Sequence, residues 1–227
     1  MYGLLNIDKP AAITSFGVVK KIRHLTGVKK VGHSGTLDPF STGVLLVFVG
    51  RKATKHISEF SDLDKEYYGK IKFGERTDTA DLTGKIIEEK PIPELSIPQI
   101  RAVFKSFIGT IKQIPPMFSA IKRNGIRLYK LARKGEIVER KPRNVVIKEL
   151  KLLEYKKPFL KFSTVVSKGT YIRVLAEDIA ERLNTVGHLV ELRRLRIGDF
   201  LVKNAMSLNE LNSKKIGNLI MPVKIKL

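Results

Sequence analysis

The sequence predicts an α+β fold whose mixed, mostly antiparallel central sheet is flanked by helices. Three observations carry that prediction. Segments of strand character arrive in runs rather than alternating one for one with helices. At least one alternates apolar and polar residues, as a half-solvated strand requires. The 227 residues are 43% hydrophobic, enough to bury the core of one elaborated domain.

Residues 4–7 read as a short buried strand, and Thr14 or Ser15 can cap a helix with the apolar stripe Phe16, Val19, Ile22 and Leu25. Residues 32–43, rich in Gly, Ser and Thr, form a loop that runs into the apolar strand 44–49. Residues 65–73 alternate, with Tyr67, Ile71 and Phe73 on one face and Tyr68, Lys70 and Lys72 on the other. After a polar stretch, residues 85–89 supply a second strand for a pair. Ser96 caps a helix carrying Ile97, Ile100, Val103, Phe104 and Phe107, which Gly109 ends. From 115 to 143 the pattern weakens into a projecting element with a short basic helix. Strands resume at 144–155 and 159–166, a helix follows over 171–183, and a last strand runs through 195–202. There is no internal repeat.

Charge narrows the partner. Lys and Arg number 43 against 22 Asp and Glu, a net +21 that exceeds the needs of solubility and implies a polyanion. Heat adaptation would raise Lys and Glu together, and Glu has not followed, so nucleic acid is favoured. No apolar run approaches the roughly 20 residues of a spanning helix, and the start MYGLLNIDKP lacks the order of a signal peptide. No membrane association and a cytoplasmic location are the expectation. With no Cys and only four scattered His, no disulfide framework or metal site is expected.

Three constellations carry candidate chemistry. In GHSGTLDPFSTG, residues 32–43, Asp38 precedes a proline in a glycine-rich loop at the mouth of a buried strand, a position suited to catalysis. Read locally, an ordinary Asp-Pro turn is the commoner outcome, and His33 is a loop histidine bonded to backbone. In SKGTYIR, residues 167–173, Thr170 could cap the helix, Tyr171 could stack on a base, and Arg173 could pair with a carboxylate. The dull alternatives are a core tyrosine and a solvated arginine. Over 115–143, Lys122, Arg127, Arg133, Arg140 and Arg143 interleave with Phe118, Leu128 and Tyr129, which suits a clamp on a phosphate backbone as well as a solvated basic helix.

The loop GHSGTLDPFSTGVLLV resembles the catalytic motif of the bacterial tRNA pseudouridine-55 synthases, the TruB family. LNIDKPAAITS, KEYYGKIKFGERTDTADLTGKI, SKGTYIRVLAEDI and GHLVELRRLRIGDF resemble further family segments in the family's order, and PPMFSAIKRNGIRLYKLARKGEIVERKPR resembles its RNA-gripping thumb. The resemblance spans residues 3 to about 200. It implies the pseudouridine synthase fold, with a catalytic domain over 1–205, a thumb over 115–143 and a short tail over 206–227.

It also implies roles. Asp38 matches the catalytic aspartate, Tyr67 the tyrosine that stacks on the target base, and Arg173 the arginine that pairs with the carboxylate. His33 matches the histidine that enters the T loop, Tyr171 and Leu192 match positions lining the uracil pocket, and Lys9 falls on the motif supporting the catalytic loop. In the thumb, Lys122, Arg127, Tyr129, Arg133, Arg140 and Arg143 are the RNA contacts expected. The chain departs from the family at KPAAITS, where KPxGxTS is usual; at Phe118, where a tyrosine is usual; and in stopping at Leu227, without the PUA-like domain of most bacterial members.

The activity implied is isomerisation of uridine 55 in the T arm of tRNA, without metal, nucleotide or redox cofactor and without an obligatory protein partner, by a monomer. A non-catalytic RNA-binding protein on the same scaffold would not need Asp38, Tyr67 and Arg173 together. The guide-RNA branch of the superfamily, archaeal and eukaryotic, fits the bacterial-style thumb and the missing C-terminal domain less well.

Overall fold

A strand that is apolar at every position needs cover on both faces, and residues 44–49 obtain it. The computed structural model describes residues 2–214 and 216–223, and the chain divides into two units, Met1–Tyr67 with Arg193–Leu227, and Tyr68–Leu192. In the first unit the chain runs through β1 (Gly3–Lys9), α1 (Ser15–Thr26), β2 (Val31–Ser34), β3 (Thr42–Val49), α2 (Arg51–Thr54) and α3 (Ile57–Ser61). β3 pairs antiparallel with β1 and with β2, so that Val47 faces Leu5 on one side and His33 on the other. Leu45, Val47 and Val49 pack with Leu5, Ile7 and the α1 residues Val18, Val19 and Ile22. Val44, Leu46 and Phe48 turn the other way, onto Leu4, Ala53, Phe60 and Ile197.

Two expectations are corrected here. The buried face of α1 is Ser15, Val18, Val19 and Ile22, with Leu25 packed against the same core, so the predicted stripe holds except at Phe16. Phe16 is 51% exposed, with Lys20 and Arg23 over its ring. Thr14 is the N-cap, its Oγ1 accepting from Gly17 N at 2.9 Å. The predicted loop 32–43 also loses its first residues to β2.

The second unit begins within β4 (Lys65–Phe73), whose strict alternation of burial matches the sequence reading. Gly69 lies under Phe162, where a Cβ would approach the ring to 2.5 Å. The strands that follow are β5 (Glu75–Thr77) and β6 (Ile86–Glu89), which form their own two-stranded sheet. The expected pairing thus falls between these two rather than on β4. α4 (Ile97–Phe107) opens with the capping box of Ser96 and Gln99. Gly109 does more than end it, because it starts a strand absent from the sequence reading, β7 (Gly109–Gln113).

The thumb segment holds β8 (Lys122–Arg123), β9 (Ile126–Arg127) and α5 (Leu128–Ala132). β10 (Arg143–Lys156) then pairs antiparallel with β7 and with β11 (Phe159–Val166), so the order in this unit includes β4-β11-β10-β7. Phe104 of α4 meets Phe162 edge-on, with ring centroids 6.5 Å apart. α6 (Ile172–Arg182) is capped at Tyr171 with no side-chain cap bond. Thr170, the expected cap, instead donates to Ser167 O at 3.0 Å.

The strand read as 195–202 is the end of a longer one, β12 (Gly187–Ile197), which turns at Gly198 into β13 (Phe200–Leu201). β14 (Met206–Ser207) then runs parallel to β1, and α7 (Ile216–Leu219) follows. Leu208, Leu211 and Ile216 are buried in the first unit's core beside α1, so these three residues contribute to packing. Antiparallel pairs predominate, with parallel pairs at β1 with β14 and β3 with β12, and the class is α+β with a mixed sheet as predicted.

Candidate active site

A carboxylate can act on a reacting carbon only if its loop is held still, and the first unit holds this one with side chains from three elements. Asp38 is half-exposed, and its carbonyl accepts from Ser41 N at 3.1 Å, so the local Asp-Pro turn does form. Ser15 at the start of α1 closes a two-way contact with Leu37: its Oγ accepts from Leu37 N at 2.9 Å and donates to Leu37 O at 3.1 Å. Lys9, with no exposed surface, donates to Ile13 O at 2.8 Å, Pro10 O at 2.9 Å and Pro39 O at 3.3 Å. Burial pulls its ammonium down from 10.5 to about 8, Asp38 attracts it and works the other way, and Arg194 repels it.

The third support was not recognised in the sequence. Arg194, on β12, is 1% exposed. Its Nε donates to Val44 O at 2.7 Å, its Nη2 to Gly35 O at 3.1 Å, and its Nη1 to the Tyr67 hydroxyl at 3.4 Å. Gly43 makes the close approach possible, since a Cβ there would lie 2.2 Å from Arg194 O. The signal was the strand period: Arg194 follows Leu192 by two, so both share one face of β12.

The departure at KPAAITS also has a structural answer. Ala12, at the usual glycine position, keeps the left-handed backbone with φ of 63°. The turn survives with an alanine in a conformation that costs an L-residue roughly 1 kcal/mol. Tyr67 is 7% exposed, and His33 is half-buried on β2. Lys9, Asp38 and Tyr67 are therefore gathered in this unit around Arg194.

The second unit holds the other predicted residues. Arg173 is 4% exposed, which excludes the solvated alternative. Its Nη1 donates to Thr79 O at 2.6 Å and lies 3.7 Å from Asp81, and its Nη2 donates to Phe118 O at 2.8 Å. The guanidinium thus ties the root of the thumb to the segment before β6. Tyr171 is half-buried and its backbone is clasped by the buried Gln113 side chain, which accepts from Tyr171 N at 3.1 Å and donates to Tyr171 O at 3.3 Å. Leu192 is 7% exposed on β12. One turn beyond Arg173, burial raises Glu177 to about 7, with Arg76 opposing and Asp178 and Glu181 reinforcing.

In the thumb, Lys122 and Arg127 face each other across β8 and β9. With Gly125, Ile126, Tyr129 and Lys130 they line a cleft of about 370 Å3. The Arg133 guanidinium lies 5.6 Å from the centre of the Tyr129 ring. Arg140 donates to Pro115 O at 3.3 Å, and Arg143 opens β10 opposite Gln113. Among the described residues no three His, Asp or Glu side chains gather as a metal would need, and no helix is long and apolar enough to cross a membrane.

The model of the TruB family pseudouridylate synthase N-terminal domain matches residues 23–172, and that of the tRNA pseudouridylate synthase B C-terminal domain matches 173–224. The chain belongs to the TruB family. Relatives named tRNA pseudouridine synthase B include that of Francisella philomiragia, 47% identical over 92% of this chain and 69% of that protein. That of Endomicrobium trichonymphae is 45% identical over 97% of this chain and 96% of its own length. Among solved structures, a Cbf5-Nop10-Gar1 complex superposes with a TM-score of 0.72 at 30% identity, over 92% of this chain and 53% of the matched one. An archaeal box H/ACA Nop10-Cbf5 complex gives 0.70 at 27% identity, over 97% and 60%. The chain spans little more than half the length of these solved proteins. The TruB-family member described here therefore has the pseudouridine synthase fold, with the Asp38 loop inside the N-terminal family match.

Proposed function

We propose that this chain isomerises the uridine at position 55, in the T arm of tRNA, to pseudouridine, with Asp38 as the catalytic carboxylate. The coarser statement, that it is a tRNA pseudouridine synthase, follows from family membership and from the relatives' shared name. One observation supports the finer reading above others: a half-exposed aspartate on a backbone pinned by Lys9, Ser15 and Arg194.

The reaction breaks the bond from ribose C1' to uracil N1, turns the base, and joins C1' to C5. The proton on C5 leaves and N1 gains one, so no atom or electron enters from outside. Asp38 acts at C1' or at the base during cleavage, and Tyr67 lies against the flipped uracil. Arg173 is proposed as the guanidinium partner of that carboxylate, with Tyr171 and Leu192 lining the base pocket. His33 enters the T loop where the target has left its stack, a step that costs a few kcal/mol. The cations of the thumb, Lys122, Arg127, Arg133, Arg140 and Arg143, hold the phosphate backbone with Tyr129 among them. The enzyme works as a monomer without guide RNA.

The test is tritium release from an unmodified tRNA transcript carrying [5-3H]uridine. The purified chain alone is expected to release one equivalent per tRNA, and none when position 55 is cytidine. Equal release from the cytidine-55 transcript would overturn the site assignment.

A further inference from the structure

A buried arginine is costly unless each of its donors has a purpose, and Arg194 spends its donors at places that bear on the chemistry. Its Nε binds Val44 O and its Nη2 binds Gly35 O, the carbonyls that bracket the loop carrying Asp38. Its Nη1 donates to the hydroxyl of Tyr67. One planar group therefore closes the loop at both ends and touches the residue placed against the base. We infer that Arg194 is a positioning residue for the isomerisation, a guanidinium clip that fixes the Asp38 loop relative to the Tyr67 ring.

The geometry explains why a guanidinium is required. Three acceptors lie around Arg194 and are met by three different nitrogens, Nε, Nη1 and Nη2. A lysine at 194 would bring the same charge at a single nitrogen and could not span them. The neighbouring cation, Lys9, supports the loop from Pro39 O and from the turn before α1, so it cannot take over the Gly35 and Val44 carbonyls. Loss of the clip would let the loop drift by a fraction of an ångström, and a displacement of about 1 Å costs roughly 100-fold in rate.

The inference rests on the proposed roles of Asp38 as the catalytic carboxylate and of Tyr67 against the base, so Asp38→Asn is assayed beside it. For Arg194→Lys the expected result is a kcat about 30- to 100-fold below the parent, with KM for tRNA unchanged within about 3-fold. Hydrogen exchange by mass spectrometry should show faster exchange in the peptide covering 35–44, with peptides of Tyr68–Leu192 unchanged. A kcat within about 3-fold of the parent would overturn the inference. So would faster exchange throughout the chain, or a variant too unstable to assay, either of which would mark Arg194 as a scaffold residue. If Asp38→Asn turns over normally, the functional reading itself fails. If Asp38→Asn is inactive while Arg194→Lys matches the parent, this inference alone falls.

Discussion

The Asp38 loop and the thumb use polar residues in opposite ways. Around the loop, Lys9, Ser15 and Arg194 are buried and spend their donors on backbone carbonyls, so polar groups act as internal struts. In the thumb, Lys122, Arg123, Arg127, Lys130, Arg133 and Lys134 are exposed, and short contacts such as Leu128 N to Ile121 O and Tyr129 N to Ser119 O brace the backbone, with Arg123 donating to Glu139 O and Arg140 to Pro115 O. The first arrangement suits bond making, which tolerates little displacement. The second suits a grip on phosphates, where charge matters more than exact placement.

If that division holds, substitutions in the two regions should separate rate from affinity. Arg173, buried as the loop struts are, belongs with the first group: Arg173→Lys should lower kcat by about 100-fold or more while KM rises only a few-fold, because a point charge cannot reproduce the fork. Equal losses in both would break the comparison. Replacing Lys122, Arg127 and Lys130 by Ala together should raise KM about 10-fold at moderate salt, leave kcat within 2-fold, and lower the salt slope by about 2 to 3. A flat salt profile in the parent would remove the electrostatic account of the thumb.

Two smaller effects sharpen the picture. Glu177 has its folded pKa raised to about 7, so the folded state holds a proton that the unfolded chain has released. Its contribution to stability is present below about pH 4.5 and lost as pH rises through 7. Glu177→Gln should therefore match the parent near pH 4.5 and exceed it at pH 8 by on the order of 1 kcal/mol in urea unfolding. The smallest effect concerns the turn before α1, where Ala12→Gly should stabilise by about 0.5 to 1 kcal/mol by relieving the left-handed alanine. A loss of stability would mean that packing of the Ala12 methyl outweighs the backbone term.

Much of the architecture was legible because periodicity is a local property. The run that became β3, the alternation of β4 and the capping box of α4 each announce themselves within ten residues or so. Phe16 misled because positions 16, 19 and 22 and positions 15, 18, 19 and 22 both follow helical spacing, and an aromatic weighs more than a valine by eye. The start of β12 was missed because Gly187 and His188 carry no strand signature, although both are buried. For the candidate site, Asp38, Tyr67 and Arg173 were named through the family's motifs. Arg194 was not, since in ELRRLRIGD one arginine looks like the next until the strand period separates the buried Arg194 from the half-exposed Arg193 and Arg196. Arg193 instead forms a two-nitrogen pair with Asp8, at 2.6 and 3.1 Å. Long-range hydrogen bonds, such as those joining residue 194 to residues 35 and 44, leave no local trace.

The most direct measurement is tritium release by Asp38→Asn under single-turnover conditions, with tRNA binding measured on the same preparation. The account predicts a folded protein that binds tRNA within about 3-fold of the parent and forms no pseudouridine, because the amide keeps the shape and loses the charge. Turnover near the parental rate would contradict it.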